Sequence, residues 1–343
     1  MPKFTPGQQV TEFKGENAYQ SPAFLESAGT EDPLALENFV VIEGALPSYN
    51  NWCDVDRLLQ TMTHLTAAWK LRFKDVPYIA IGAKHGNPCG AAIKGWPRQT
   101  VAWMIEGDIR AIFGGAIMTN FRLDAEVASA MAESMPEQKA LFDLVIAPEF
   151  EAQAIQVLSR KKGKCRLITN PSLERMQSAS LDIAPRYRYV RGGRLVQPNY
   201  NFLLDFSDPE MKVYGKAHIL FEEDLLLAWG VGCTSNSNTI TIANNGMIIG
   251  NGVGQQDRVS AAKLAINRAT NAGHKDLLKG AVAYSDSFFP FPDGVQVLID
   301  AGIKAIFSTS GSIKDKEVQD LCVENDVTLY QLPDSKARGF FEH

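Results

Sequence analysis

Hydrophobic and polar positions follow two rhythms along this chain, and together they predict a mixed α/β protein. Apolar side chains recur at three- and four-residue spacing over residues 55–65, behind Asp54, which predicts a helix with Asp54 as its N-cap. Residues 78–81 (YIAI) are continuously apolar, which is typical of a buried strand. Because such segments alternate through the chain, the pattern favours an α/β layered fold.

The remaining elements are predicted by the same rules. Predicted helices cover residues 101–107, 124–135, 149–158, 225–231, 259–269, 295–302 and 316–325. Predicted strands cover residues 111–113, 144–147, 239–242, 247–249, 281–284 and 305–307, with a hairpin turn at Asn245 and Gly246. The first forty residues are rich in turn formers and predict an irregular arm.

The length of 343 residues gives about two domains at roughly 150 residues each. Residues 159–195 are basic and interrupted by Gly and Pro, which predicts a connector, although such a charge run is often only a solvated face. We therefore expect two related α/β units, 1–195 and 196–343. No sequence repeat is visible between them.

Composition narrows the class of protein. Hydrophobic residues make up 45% and charged residues 21%, and 34 basic against 39 acidic residues give a net charge of −5. This balance argues against a nucleic-acid-coating surface. No apolar run reaches the roughly 18 residues of a membrane span, so we expect a soluble, cytoplasmic protein without membrane partners. Five cysteines without a C-x-x-C pair indicate reduced thiols.

The segment 84–90 (KHGNPCG) is the first candidate for chemistry. It follows a predicted strand, which is where α/β folds present reactive side chains. His85 is suited to take a proton from an attacking amine, and Lys84 to stabilise developing negative charge. The alternative is a surface Lys-His pair before a turn.

A zinc deaminase is the other interpretation of this segment. Such enzymes need H-x-E followed by P-C-x-x-C. Here Gly86 and Asn87 follow His85, and no second Cys follows Cys89. The zinc hypothesis fails because too few ligands are present.

Three further loops are candidates, each with a structural alternative. The polar run 234–238 is either a helix cap or the source of an amide donor, Asn238, for a carbonyl oxygen that gains charge. The glycine loop before Arg258 is either an anion site at a helix start or an ordinary turn. The aromatic loop around Phe288 is either core or a wall for a flat heterocycle.

Taken together, these pieces resemble the 5-aminoimidazole-4-carboxamide ribonucleotide (AICAR) formyltransferase half of a bifunctional purine-biosynthesis enzyme. The resemblance runs from about residue 13 to the C-terminus. The matching segments, in the order of the family, are 15–17 (GEN), 48–51 (SYNN) with Asp54 and Asp56, 84–90 (KHGNPCG), 113–115 (FGG), 143 with 145–148 (VIAP), 237–238 (SN), 254–258 (GQQDR), 286–294 (DSFFPFPDG) and 310–312 (SGS).

The resemblance implies a formyltransferase without the inosine-monophosphate cyclohydrolase domain. It implies two cytidine-deaminase-like three-layer units in tandem, without zinc, and a homodimer with active sites at the subunit interface. The formyl donor would be 10-formyltetrahydrofolate.

The resemblance also implies roles for individual residues. His85 would be the general base, Lys84 would assist formyl transfer, and Asn238 would hold the formyl oxygen. The substrate-binding residues would be Phe113, Gly114, Asp143, Arg258 and Phe288, and the folate-binding residues Phe288, Asp293 and Asn87. A potassium ion near Ser235, Ser237 and Asp286 is allowed by the resemblance.

The departures from the family pattern lie where the family binds the substrate's phosphate. Phe13 and Lys14 stand where the family has Arg-Tyr, Gly339 stands in place of an arginine near the C-terminus, and Cys233 in place of a lysine. Either Lys14 and Arg338 bind the phosphate, or the acceptor is a different amine without a phosphate. A non-catalytic folate- or nucleotide-binding protein is the alternative of another class.

Overall fold

The computed structural model describes residues 7–135 and 142–341. Its centre is a single mixed sheet of twelve strands with helices on both faces, so the predicted α/β class is confirmed. From one edge of the sheet to the other, the strands are residues 212–214, 328–333, 305–310, 282–285, 240–244, 247–252, 87–94, 78–84, 116–119, 144–147, 166–169 and 40–43.

The elements fall into two stretches of the chain. Those before residue 200 are β1 Gln9–Phe13, β2 Ala23–Glu26, β3 Val40–Glu43, α1 Tyr49–Arg72, β4 Tyr78–Lys84, β5 Asn87–Lys94, α2 Pro97–Gly107, α3 Ile109–Ile112, β6 Ala116–Thr119, α4 Ala125–Glu133, β7 Leu144–Ala147, α5 Ala152–Leu158, β8 Arg166–Thr169, β9 Arg186–Val190 and β10 Gly193–Gln197. Those after it are β11 Lys212–Tyr214, α6 Ile219–Gly232, β12 Ile240–Asn244, β13 Met247–Gly252, α7 Arg258–Asn271, β14 Val282–Ser285, α8 Asp293–Asp300, β15 Ala305–Ser310, α9 Asp315–Glu324, β16 Thr328–Pro333 and α10 Asp334–Ala337.

The two halves of the large sheet, six strands each, have the same strand topology. In the first, β5, β4 and β6 are antiparallel neighbours, β6, β7 and β8 are parallel, and β3 closes the edge antiparallel to β8. In the second, β13, β12 and β14 are antiparallel, β14, β15 and β16 are parallel, and β11 closes the edge antiparallel to β16. A bridge between Ala92 of β5 and Met247 of β13 joins the two halves at the centre of the sheet.

The core lies in layers above and below this sheet. Alternate strand residues face opposite sides, so Ile79 and Ile81 of β4 join one apolar cluster and Ala80 joins another. The first cluster packs under α1 and α6, where Leu58 and Trp229 are fully buried. The second and third clusters pack under the helices of the opposite face.

Several predicted boundaries are wrong. The first helix begins behind Ser48, whose hydroxyl accepts a hydrogen bond from the Asn51 amide, and Asp54 lies inside the helix and not at its cap. The predicted strand 111–113 is wrong because the Asp108 side chain caps a short helix, α3, over this stretch. The predicted loop 84–90 is instead the closed end of the β4–β5 hairpin.

The predicted connector and arm also contain regular structure. Residues 159–195 include β8, an internal strand of the large sheet, and most of the separate β9–β10 hairpin. The first forty residues include the β1–β2 hairpin. The strand pattern was obscured in both stretches because exposed or charged residues interrupt the apolar runs.

No helix within residues 7–135 and 142–341 is both long and apolar enough to cross a membrane.

Candidate active site

The Lys84–His85 pair lies at the turn of the β4–β5 hairpin. His85 and Gly86 both have positive φ angles, 55° and 70°, as a two-residue turn of this kind requires. Lys84 ends β4, and its Nζ donates a hydrogen bond to the Phe113 carbonyl oxygen at 2.6 Å. The His85 side chain is exposed and therefore open to a ligand.

A buried carboxylate holds this turn from below. The Gly86 amide donates a hydrogen bond to Oδ1 of Asp54 at 2.8 Å. Burial raises the pKa of Asp54, whereas this hydrogen bond and the nearby charges of His85 and Arg57 act in the opposite direction. Sequence analysis missed this positioning role, since it assigned Asp54 to a helix cap.

The turn is joined to the polar run of the second half by one hydrogen bond. The Asn236 amide donates to Oδ1 of Asn87 at 3.0 Å. Asn87 is the first residue of β5, directly after the turn, and Asn236 lies two residues before Asn238. The structure therefore brings the predicted base and the predicted amide donor into one connected site.

Asn238 is held by the glycine loop that precedes α7. Its amide N–H and its Nδ2 both donate to the Gln255 carbonyl oxygen, at 3.0 and 2.9 Å. The Gln255 amide donates back to the Asn238 carbonyl at 3.1 Å, and the peptide bond between Ser237 and Asn238 is cis. One Nδ2 hydrogen remains for a ligand, because a side-chain amide carries two.

The fully buried carboxylate of Asp286 holds the residues on either side of Asn238. Its carboxylate accepts hydrogen bonds from the Ser237 hydroxyl at 2.6 Å and the Thr239 amide at 3.0 Å. Arg258 pairs with the other oxygen, Nη2 to Oδ1, at 2.9 Å. Burial raises the pKa of Asp286, and the Arg258 guanidinium opposes this.

These contacts change the interpretation of two sequence predictions. Arg258 is largely buried and already neutralises Asp286, so it does not present an isolated charge to an anion. The Ser235 hydroxyl donates to the Val231 carbonyl at 2.8 Å, and the Ser237 hydroxyl donates to Asp286. The oxygens of Ser235, Ser237 and Asp286 suit a monovalent cation in kind, but as arranged Ser237 and Arg258 hold Asp286, and Ser235 is held by Val231 and Asn251.

The predicted substrate-binding residues of the first half lie beside Lys84. Phe113 supplies the carbonyl that accepts from Lys84, and Gly114 has a φ of 71° in the turn that follows. Asp143 is exposed, and its amide donates to the Gly115 carbonyl at 3.0 Å. Its charge also acts on Asp54, whose pKa it raises. These residues therefore belong to the neighbourhood of the turn.

The predicted folate-binding residues Phe288 and Asp293 lie in the loop between β14 and α8. Phe288 is half-buried, and Asp293 is exposed at the start of α8, where its Oδ1 accepts from the Gly294 amide at 2.8 Å. The contacts described for these two residues are local to this loop and to the nearby Gly311. They do not join Lys84 or His85.

The two residues predicted to bind a phosphate differ in their surroundings. Lys14 is exposed, and its carbonyl accepts from the Tyr49 amide at the start of α1. Arg338 pairs with Asp334 through Nε at 2.7 Å. Burial alone would raise the pKa of Asp334, but the hydrogen bonds that it accepts, first of all from Arg338, hold it below its ordinary value.

Gly339 and Cys233, two positions that differ from the family pattern, lie close together in the structure. A Cβ atom at position 339 would overlap the Tyr284 hydroxyl and would lie 3.3 Å from Cβ of Cys233. A larger residue therefore does not fit at this position while Tyr284 is present.

Two clefts open onto the connected site. One, of about 590 Å³, is lined by Lys84, His85, Asn87 and residues of α3 and α7. Cys89 also lines it, but burial raises the pKa of its thiol to about 12, so the thiol is protonated at neutral pH and is a poor nucleophile. The other cleft, of about 710 Å³, lies between Asn236, the C-terminal segment and the β9–β10 hairpin.

Within the described ranges, no three His, Cys, Asp or Glu side chains come together in a way that would hold a metal ion. The candidate site consists of a lysine and a histidine at a hairpin turn, an amide donor on a segment bonded to that turn, and a cleft beside the turn. This set can deprotonate an amine and stabilise an oxygen that gains charge.

The chain is similar to known proteins over most of its length. Residues 5–268 match the family described as "AICARFT/IMPCHase bienzyme". The chain is 34% identical to the "Bifunctional purine biosynthesis protein PurH" of Anoxybacillus flavithermus (strain DSM 21510 / WK1) over 305 residues, which cover 88% of this chain and 54% of that protein. It is 32% identical to the protein of the same name from Aquifex aeolicus (strain VF5) over 317 residues, 92% of this chain and 56% of that protein. The chain thus spans little more than half the length of these relatives, and it belongs to the AICARFT/IMPCHase bienzyme family.

Proposed function

We propose that the protein transfers the formyl group of 10-formyltetrahydrofolate to the 5-amino group of AICAR, a step of purine biosynthesis. The observation that carries the proposal is the Asn87–Asn236 hydrogen bond, because it joins the Lys84–His85 turn to the run that contains Asn238. Family membership supports the same activity. A binding protein without catalysis would have no need of a base beside an amide donor.

The roles follow from the hydrogen-bonding capacity that remains on each side chain. The amine nitrogen attacks the formyl carbon, and exposed His85 accepts the proton that this nitrogen loses. The free Nδ2 hydrogen of Asn238 donates to the formyl oxygen as its negative charge grows. Lys84 uses one donor on Phe113 and keeps two for the reacting groups, so it can supply the proton to N10 of the folate as the carbon–nitrogen bond breaks.

The equal topology of the two ends of the sheet supports the proposal that they are cytidine-deaminase-like units. The boundary would lie near residue 195, in the β9–β10 hairpin that belongs to neither end of the sheet.

A homodimer with active sites at the interface is part of the proposal. The local contacts of Phe288 and Asp293 leave their predicted folate role without a link to Lys84, and a second copy would be able to supply this loop to the turn. Sedimentation equilibrium with and without AICAR tests this: a monomer that turns over would contradict the dimer and leave the activity standing. We assign no step to potassium, because each of its predicted ligands already has hydrogen-bond partners within the protein.

The test of the function is the release of tetrahydrofolate from 10-formyltetrahydrofolate in the presence of AICAR, with mass spectrometry of the product. AICAR-dependent release with a formylated product supports the proposal. Turnover only with another amine would replace AICAR as the acceptor. Folate binding without turnover would indicate a non-catalytic binding protein.

Recognition of the phosphate group of AICAR provides a second test of the proposed function. Arg338 is already paired with Asp334, whereas no described ion pair involves Lys14, so we expect Lys14 to contribute more to phosphate binding. Lys14→Ala should raise KM for AICAR by about tenfold, since a charge-assisted contact is worth at least the roughly 1.4 kcal/mol of such a factor. The dephosphorylated riboside should be a poor substrate that the substitution does not affect. Equal kcat/KM for both acceptors would contradict phosphate recognition.

A further inference from the structure

The C-terminal segment 338–341 is held by three contacts with other parts of the chain and by one contact within the segment. Arg338 pairs with Asp334, and the Gly339 amide donates to the Asp286 carbonyl at 2.7 Å. The Phe340 ring lies 5.1 Å from the Arg338 guanidinium. Phe341 pairs with Asn236 in a single parallel backbone bridge. This short segment, which follows α10, therefore runs directly along the polar run.

Phe341 is the anchor of that segment. Its side chain is 3% exposed. The guanidinium groups of Arg57 and Arg186 each lie 4.4 Å from the centre of its ring. Two cations on an aromatic ring are a directional contact, which an aliphatic side chain of similar size does not reproduce.

Two short chains of contacts run from Phe341 towards the candidate site. Through its bridge, Phe341 reaches Asn236, whose amide donates to Asn87 beside the His85 turn. Through Arg57, it reaches the Thr234 carbonyl, which accepts a hydrogen bond from that guanidinium. Both ends of the segment 234–236 are thereby held, and Asn238 follows two residues later.

We propose that Phe341 is a positioning residue that holds the 234–238 run in register with the Lys84–His85 turn. It would act through Asn236 and Asn87 and would not contact the reacting atoms. This inference rests on the proposed function for its kinetic consequence, but the contact path itself is independent of turnover.

The test uses Phe341→Leu, which keeps an apolar side chain of similar bulk and removes the ring. We expect kcat with AICAR to fall about tenfold, because small displacements of catalytic groups are costly, while KM changes by less than about twofold. Phe341→Tyr, which keeps the ring, should restore most of kcat. A normal kcat in Phe341→Leu, or an equally low kcat in Phe341→Tyr, would overturn the proposal.

The matched control is Phe121→Leu. Phe121 is 5% exposed and packs edge-on against Tyr78, at the end of β4 away from Lys84. This variant should show a similar change in melting temperature and a normal kcat. If both variants lost kcat equally, Phe341 would be an ordinary core residue.

A readout without turnover separates this inference from the proposed function. The rate at which diethylpyrocarbonate modifies His85 is measured by peptide mass spectrometry, with exposed His218 as the internal reference. In Phe341→Leu the His85 rate should change by about threefold or more, and in Phe121→Leu it should not. An unchanged His85 rate would overturn the positioning role even in an active enzyme. Inactive wild-type protein with the expected change would overturn only the proposed function.

Discussion

The β4–β5 and β12–β13 hairpins have the same backbone at their turns and different side chains. His85 and Gly86 have φ angles of 55° and 70°, and Asn245 and Gly246 have φ angles of 51° and 72°. The two hairpins occupy equivalent places at the centre of the sheet, one in each half. The turn geometry thus belongs to the fold and not to the chemistry of either turn.

Each turn is braced by an aspartate from a helix, and Asp224 also accepts from the Asn245 amide at 2.8 Å. Asp54 of α1 accepts from the Gly86 amide at 2.8 Å, and Asp224 of α6 accepts from the Gly246 amide at 2.6 Å. Burial raises the pKa of both carboxyl groups. An aspartate placed beneath the hairpin by a helix, buried at Asp54 and half-buried at Asp224, is therefore a structural device that appears twice.

The last residue of the first strand in each hairpin also has the same task. Lys84 donates to the Phe113 carbonyl at 2.6 Å, and Asn244 donates to the Leu277 carbonyl at 2.5 Å. Each acceptor lies in the segment that leads to the next strand. What distinguishes the first turn is the choice of a lysine and a histidine where the second has two asparagines. Asn-Gly is the preferred pair for such a turn, so His85 departs from local preference at the one turn that has a proposed reaction.

The largest effect is expected from exchanging the central residues of the turns. His85→Asn should lower kcat by about 10²-fold, the usual contribution of a general base, while the melting temperature stays the same or rises slightly. The matched variant Asn245→His should keep kcat and melt slightly lower. Steady-state kinetics and thermal melts measure both. A His85→Asn variant that loses affinity but keeps kcat would make His85 a contact residue.

The strand-end residues give the next effect. Lys84→Met should lower kcat by about tenfold or more, since it removes both the bond to Phe113 and the donors kept for the reacting groups. Asn244→Leu removes the equivalent bond to Leu277 and should leave kcat within about twofold of wild type. Equal kinetic losses at both positions would show that the bond, and not the lysine charge, matters.

The two aspartates should separate stability from activity. Asp54→Ala leaves one turn amide without its partner and Asp224→Ala leaves two, so urea titrations should show a cost of about 1–3 kcal/mol of unfolding free energy per amide, larger for Asp224→Ala. Only Asp54→Ala should also lower kcat, by about tenfold, because only its turn has catalytic side chains. Loss of activity in both variants would contradict the assignment of chemistry to one turn.

The smallest effect is in the pH dependence of stability. The folded pKa of each aspartate is raised above the value of 3.8 expected in the unfolded chain, so the folded state binds more protons in the interval between the two values. Each group therefore favours folding most at low pH, and this contribution is lost as pH rises from about 3.8 through the folded pKa. Asp54→Asn and Asp224→Asn should each flatten the fall of melting temperature over that range. A steeper fall in either variant would contradict the sign.

The sequence predicted the parts of this comparison that depend on local patterns. The Asn245-Gly246 hairpin and the buried strand over residues 78–81 are both confirmed, because turn chemistry and apolar runs act over a few residues. The sequence predicts a loop at His85 because His-Gly is not a strong turn signal, whereas the structure has a hairpin turn there. The role of Asp54 could not be predicted, since its partner, Gly86, lies 32 residues away and only the packing of α1 on the sheet brings them together.

Candidate site residues were predictable to a similar extent. One hydrogen bond connects the Lys84–His85 turn to the run that contains Asn238, and the roles of these three residues stay predictions. The pairing of Arg258 with Asp286 and of Arg338 with Asp334 was not predictable, because charge neutralisation depends on contacts across 28 residues in one case and on a helical turn in the other. Phe341 was not predictable, since its contacts with Arg57, Arg186 and Asn236 join residues that lie far apart in the sequence.

The most direct test of the central claim is a crystal structure of the protein with AICAR bound. The account predicts the 5-amino nitrogen within about 3 Å of a His85 ring nitrogen, or one water away from it, beside Asn238 and in the cleft at the first hairpin. AICAR seated at the Asn245 hairpin, or with its amine turned away from His85, would contradict the account.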